Sequence, residues 1–188
     1  PGNDLILNFE QQADQVAQVI KDSDLICTLD FNDLSRVGSL EALLQAASQP
    51  FVMIDHHQQP SDYAVLTWSD TTMSSTSEMI AHLIEAWTGW TGLSKAIANN
   101  LYTGIMTDTG SFKFPATTAK THRVVAALID AGAEHSSIHQ AVYDNQSPGR
   151  MKLLGRALNN MVIKNEWQTA YTFLSQSDLD ECQFKKGD

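Results

Sequence analysis

The run Phe51-Val52-Met53-Ile54 passes directly into Asp55-His56-His57, and this junction constrains the fold more than any other stretch of the chain. Four consecutive apolar residues have no alternating polar face. They read as a strand covered on both sides, the pattern of a parallel sheet. In open parallel sheets ligands gather beyond the carboxyl ends of the strands, so the carboxylate and the two imidazoles stand where chemistry is expected. Neutral imidazole and carboxylate are ligands for manganese, cobalt or zinc. Taken alone, the triplet also fits a solvated loop with a helix-capping Asp.

The flanking sequence supports the sheet. Leu25-Ile26-Cys27-Thr28-Leu29-Asp30 is a second apolar run closing on an acid, so two strand tips present carboxylates to one edge. Between them, Ser39 to Ala47 reads as a crossover helix stopped by Gln49-Pro50, which makes a β-α-β unit. Ala64 to Trp68 reads as a third strand. Helical periodicity runs over Phe9–Lys21, Glu78–Trp87, Ser94–Met106, Thr121–Ala131, Ser136–Tyr143 and Arg150–Met161. A hydroxyl of Ser74-Ser75-Thr76 is placed to cap the second of these helices. Gly110 allows a sharp turn that leaves Asp108 at a helix terminus. Met161-Val162-Ile163 and Thr169 to Phe173 flank Asn165-Glu166 as a hairpin. The expected architecture is α/β. An open parallel sheet with helices on both faces occupies residues 1–145, a linker helix 146–160, and the start of a second α/β domain 161–188.

Composition narrows the functional classes. With 43% hydrophobic residues in 188, an ordinary globular core is expected. A net charge of −10 argues against a broad grip on long duplex DNA, which needs a basic face, but leaves nucleotides open. A site built on carboxylates is strongly negative until cations fill it. No apolar stretch approaches the roughly 18 residues of a membrane span, and a cytoplasmic location without membrane partners is expected. Cys27 and Cys182 are too few for a disulfide framework, and Cys27 is expected to be buried. Trp68, Trp87, Trp90 and Trp167 read as core and rim packing, His135 and His139 as a surface-helix pair, and His82 and His122 as structural or solvated. Apolar positions on the helices after Gly110 leave room for a homodimer contact.

Five segments, in this order and spacing, carry a family resemblance: Leu29-Asp30 with Leu34-Ser35-Arg36, Ile54-Asp55-His56-His57, Ser74-Ser75-Thr76-Ser77-Glu78, Gly104-Ile105-Met106-Thr107-Asp108-Thr109-Gly110, and Phe173-Leu174-Ser175-Gln176-Ser177-Asp178-Leu179. The chain resembles the DHH phosphoesterase superfamily, in its NrnA-type branch of bacterial oligoribonucleases and 3′-phosphoadenosine-5′-phosphate phosphatases. More distant similarity runs to the RecJ exonuclease and the family II pyrophosphatases. The resemblance implies a DHH domain followed by a DHHA1-like substrate-binding domain. It also implies two divalent cations, most readily Mn2+ with Mg2+ or Co2+ as substitutes, and a short oligonucleotide or nucleoside 3′,5′-bisphosphate as substrate.

Carried over by position, the resemblance makes Asp30 the carboxylate that bridges two metal ions, with His56 and Asp108 as further metal ligands. His57, Arg36 and Asp55 form the catalytic group: His57 and Arg36 meet the substrate phosphate, and Asp55 orients an imidazole. Family members also carry an earlier strand ending in a His and paired Asp residues, and a later Gly-Gly-Gly-His segment. Neither precedes or follows here, and Asp4 lies in a Pro-Gly-Asn segment with no apolar run before it. The chain reads as an internal fragment of such a hydrolase, expected to hold an incomplete metal site and to have little activity by itself. A pyrophosphatase or exopolyphosphatase, or a nucleotide-binding regulatory module without turnover, is the alternative expectation.

Overall fold

The structure is a computed structural model that describes residues 6–185; Asp4 and the final three residues lie outside the described residues. The chain divides into two compact units, the first ending at His135 and the second starting at Ser136. In the first unit, α1 (Phe9–Asp22) leads into β1 (Ile26–Leu29). A 3₁₀ run (Leu34–Leu40) and α2 (Glu41–Gln45) then return the chain to β2 (Phe51–Asp55), which is followed by β3 (Leu66–Ser69). The three strands form a parallel sheet in the order β1-β2-β3. Helices α3 (Thr76–Thr88), α4 (Lys95–Asp108) and α5 (Ala119–Asp130) complete the unit.

β2 is the covered strand. Phe51, Met53, Ile54 and Asp55 are all buried, as an uninterrupted apolar run in the middle of a parallel sheet requires. Helix α3 packs on it, and α3, α4 and α5 pack on one another. Met79, Ala81, Ala98, Ile105, Met106, Val124 and Leu128 close the core between them. Ser75 caps α3 by accepting from the Glu78 amide at 3.0 Å, as the hydroxyl run leads one to expect. At Gly104 of α4 a Cβ atom would meet the side chain of Ser77 on α3, so these two helices approach at a position where only glycine fits.

Three expectations need correction. Cys27 is exposed, not buried, and within β1 only Thr28 is buried. Cys27 and Leu29 are exposed while Thr28 between them is buried, so only one face of this edge strand is covered. The crossover helix is shorter than Ser39–Ala47, because Gly38 adopts φ 57° and breaks the 3₁₀ run before α2 begins at Glu41. None of the tryptophans lies in the buried core, and Trp87 and Trp167 are 79% and 70% exposed. Their flat amphipathic rings lie at the surface of helix and hairpin ends.

The second unit contains α6 (His135–His139), which begins at the boundary, and a π-type turn (Gln140–Asp144). It continues through α7 (Pro148–Asn159), the antiparallel pair β4 (Val162–Lys164) and β5 (Thr169–Tyr171), and α8 (Gln176–Glu181). Ser147 caps α7 ahead of Pro148, whose missing N–H costs nothing at the first helical position. Arg156 of α7 joins α8 through Asp178 at 2.8 Å and Glu181 at 2.9 Å. Among the described residues no helix is long and apolar enough to cross a membrane.

Candidate metal centre

Register brings the acids together. Leu29 pairs with Ile54 and Asp55 with Ser69, so Asp30 follows β1 at the level where β2 delivers Asp55-His56-His57. The Asp30 amide continues the ladder by donating to the Ile54 carbonyl at 3.2 Å. Asp30 itself sits at φ 68°, a left-handed conformation that Asp tolerates better than most residues. α4 supplies the third acid, since Asp108 is its last residue.

The three elements converge on one atom. His56 Nε2 lies 3.6 Å from Asp30 Oδ1 and 3.9 Å from Asp108 Oδ2. The other ring nitrogen, Nδ1, faces the Met73 carbonyl at 3.4 Å; a proton there leaves the Nε2 lone pair directed at the two carboxylates. Ligand atoms about 2.1 Å from a shared ion stand roughly 3 Å apart at right angles and about 4.2 Å apart across it. Both measured separations fall in that interval. Donor atoms of Asp30, His56 and His57 all lie within 4.8 Å of one another, the one such grouping of three among the described residues.

Electrostatics favour a cation here. Burial raises the Asp108 carboxyl above its ordinary range, and the negative charge of Asp30 adds to the rise; His56 and His57 act the other way. Two carboxylates share a partly dehydrated space, and positive charge between them relieves the repulsion.

His57 is held by the acid two residues before it. Asp55, with no exposed surface, accepts from the His57 amide through Oδ2 and from His57 Nδ1 through Oδ1, both at 2.7 Å. That carboxylate fixes the proton on Nδ1 and leaves Nε2 as the free nitrogen. The two imidazole rings lie 4.6 Å apart between centroids.

Arg36 is placed differently. It lies exposed on the 3₁₀ run, and among the described residues no ion pair or hydrogen bond links it to the cluster. Its charge falls instead on Asp33, whose carboxyl is pushed down to about 2. The main causes there are hydrogen bonds from the hydroxyls of Ser35 and Ser61, then the Ser35 amide, with Arg36 a smaller contribution.

A polar network that the sequence pattern does not announce lies behind the cluster. Glu78, 2% exposed, accepts from the amide and hydroxyl of Ser74 and, at 3.1 Å, from Thr121 of α5. The Ser-x-x-Glu spacing signals a helix start, and the carboxylate reaches one residue beyond the cap to tie this loop to α5. Because the Met73 carbonyl in the same loop faces His56, the network braces the loop that lies against that imidazole.

A family model described as the DHH family, N-terminal domain, matches residues 4–105. The chain belongs to the DHH family. The relative named bifunctional oligoribonuclease and PAP phosphatase NrnA from Bacillus subtilis is 30% identical over 177 residues, which is 93% of this chain and 55% of that protein. An uncharacterised protein of Mycoplasma genitalium is 41% identical over 92 residues, 49% of this chain and 28% of the relative. The crystal structure of an exopolyphosphatase-related protein from Bacteroides fragilis superposes with a TM-score of 0.95 at 32% identity, covering all of this chain and 55% of the other. The chain thus spans about half the length of the Bacillus and Bacteroides proteins, and this DHH chain shares the fold of the latter throughout.

Proposed function

We propose that this DHH chain is the metal-binding part of a divalent-cation-dependent phosphoesterase acting on short oligonucleotides or nucleoside 3′,5′-bisphosphates. The observation that carries the reading is the convergence of Asp30 and Asp108 on the free Nε2 of His56, beside a His57 oriented by a buried acid. Asp30, His56 and Asp108 would hold the cations, a mixed nitrogen and oxygen donor set that suits Mn2+ and also accepts Co2+ or Mg2+. When bound, a pair of such ions neutralises phosphate charge and acidifies water.

The chain's own residues divide the remaining work. His57, held through Nδ1 by Asp55, would meet the substrate phosphate through Nε2, as an acceptor when the ring is neutral and as a donor when it is protonated. Asp55 keeps that ring in one tautomer and one orientation. Arg36, free of the cluster and exposed, is available to take phosphate oxygens with its planar donors once substrate arrives. Similarity to the Bacillus oligoribonuclease and PAP phosphatase supports the substrate class, and similarity to the exopolyphosphatase-related Bacteroides protein favours polyphosphate as a second class attacked by the same residues.

Three protein ligands are few for two cations, so the 188-residue chain alone is expected to bind Mn2+ with little turnover. The test measures phosphate release from a 5′-phosphorylated diribonucleotide, adenosine 3′,5′-bisphosphate, pyrophosphate and polyphosphate. It uses a form extended to the relatives' length, with Mn2+, beside Asp30→Ala. Turnover that disappears in the variant supports the reading, and the preferred substrate chooses the class. Nucleotide binding without turnover of any substrate would replace it with the regulatory module.

A further inference from the structure

Away from the metal cluster, the first unit has a cleft of about 270 Å³ lined by His82 and Glu85 of α3, Trp90 beyond the end of that helix, and Lys120, Arg123 and Val124 of α5. None of these six residues belongs to the cluster formed by Asp30, His56, His57 and Asp108. Lys120 and Arg123 stand three residues apart on one helix, so both side chains project to the same side. In a chain with 22 acidic and 12 basic residues a cation usually finds an acid, yet neither makes an ion pair within 4 Å among the described residues, and Lys120 acts on Asp70 only at longer range. The wall opposite α5 is aromatic. Trp90 is half-buried, and its turn is shaped by Gly89 and Gly92, at φ 54° and 80°. Val124, 2% exposed, gives an apolar floor.

Two cations without a close ion pair, an indole and an apolar floor have complementary requirements. A bare phosphate satisfies the cations but leaves the ring and floor wet. An uncharged aromatic does the reverse. We propose that this cleft is a second binding site, for a nucleoside monophosphate, with the base against Trp90 and the phosphate between Lys120 and Arg123. Stacking of a base on an aromatic side chain contributes without regard to sequence, and Arg fits a phosphate with two parallel donors. The volume lies just below the roughly 300 Å³ at which small-molecule pockets begin, so one nucleotide fills it and a dinucleotide does not. Glu85 stands at the same wall with its carboxylate 3.3 Å from His82 Nδ1, and it disfavours a phosphate on that side, leaving the α5 side for the anion.

The site lies next to the network that shapes the metal centre. Thr121, between Lys120 and Arg123, donates to Glu78, and Glu78 holds the loop whose Met73 carbonyl faces His56.

The proposal does not rest on the phosphoesterase reading, and its test excludes turnover. AMP, adenosine and inorganic phosphate are titrated calorimetrically into the 188-residue chain in EDTA, beside Lys120→Gln/Arg123→Gln, Trp90→Ala and Arg123→Lys. AMP should bind at least tenfold more tightly than adenosine or phosphate. The double variant and Trp90→Ala should each weaken AMP binding at least tenfold, and Arg123→Lys, which keeps the charge but loses the parallel donors, should weaken it less than the double variant does, with far-ultraviolet circular dichroism unchanged throughout. AMP affinity unchanged in the folded double variant, affinity no better than that of phosphate, or no binding at all would overturn the proposal.

Discussion

Asp55 illustrates how much depends on one buried side chain. It carries no exposed surface, yet both its oxygens are engaged by a single residue, His57. Replacing it by Asn keeps the volume but leaves one acceptor oxygen for two donors, and the NH2 group competes for the place that fixes the Nδ1 proton. Substitutions of this kind at groups that orient a ligand cost about 10- to 100-fold in metal affinity or activity. Asp55→Asn is therefore expected to lower kcat by that factor in the extended enzyme with little change in KM, and nitrogen chemical shifts of His57 should report a mixed tautomer. A kcat within twofold of the parent would remove Asp55 from this role.

At the same scale, Asp33 and Asp108 sit on opposite sides of the ordinary carboxyl range. Hydroxyl donors from Ser35 and Ser61 hold Asp33 at about 2. A depressed carboxyl contributes stability that is present above its unfolded value of about 3.9 and is lost as the pH falls toward 2. The Asp33 carboxyl resonance should titrate near the lower value, and Ser35→Ala should move it upward; an unchanged midpoint would mean the hydroxyl does not set it. At Asp108 the neighbouring charge is unfavourable. Asp108→Asn should raise the melting temperature in EDTA at neutral pH, since a like charge beside Asp30 is gone, and should reduce the further rise produced by Mn2+. A melting temperature that falls in EDTA would show that the repulsion is not the governing effect.

Elements differ in how far their residues announce them. β2 was legible because its apolar run is covered on both sides, so sequence pattern and burial coincide. β1 has the same kind of run, yet Cys27 and Leu29 are exposed, because coverage is a property of neighbouring layers and not of the strand. The break at Gly38 was hidden by the good helix formers after it. Within the candidate centre, Asp30 and Asp55 could be placed at one edge from strand ends alone. The approach of Asp108 to His56, and the contact of Glu78 with Thr121 across 43 positions, depend on helix packing that no local pattern encodes. That packing is itself testable at Gly104. A Cβ there would come within 2.8 Å of Ser77 Cβ, forcing α3 and α4 apart. Overpacking of this kind costs about 1–3 kcal/mol. Gly104→Ala should lose stability in that range in urea unfolding, and adding Ser77→Gly should recover much of it. Additive losses in the double variant would point away from this contact.

Over the whole molecule the candidate site is unevenly distributed. Asp30, His56 and Asp108, the proposed ligands, and His57 beside them all belong to the unit ending at His135, and none to the unit from Ser136 onward. A ligand that binds only the folded state stabilises by about 2.7 kcal/mol at a hundred times its dissociation constant. That stabilisation is confined to whichever cooperative unit holds the ligands, unless the two units unfold together. Hydrogen exchange read by mass spectrometry, with and without saturating Mn2+, distinguishes these cases. Slower exchange is expected over β1, β2 and the last turns of α4, which carry or adjoin the proposed ligands, and over the core helices that unfold with them. Exchange over α7 and α8 should not change, because the pairs from Arg156 to Asp178 and Glu181 hold those helices together without contribution from the centre. Equal slowing in α7 and α8 would show that the two units unfold as one. Absence of slowing anywhere would mean that the convergent acids and imidazoles do not hold Mn2+ in this chain, and the role of the cluster would have to be sought in the relatives' remaining length.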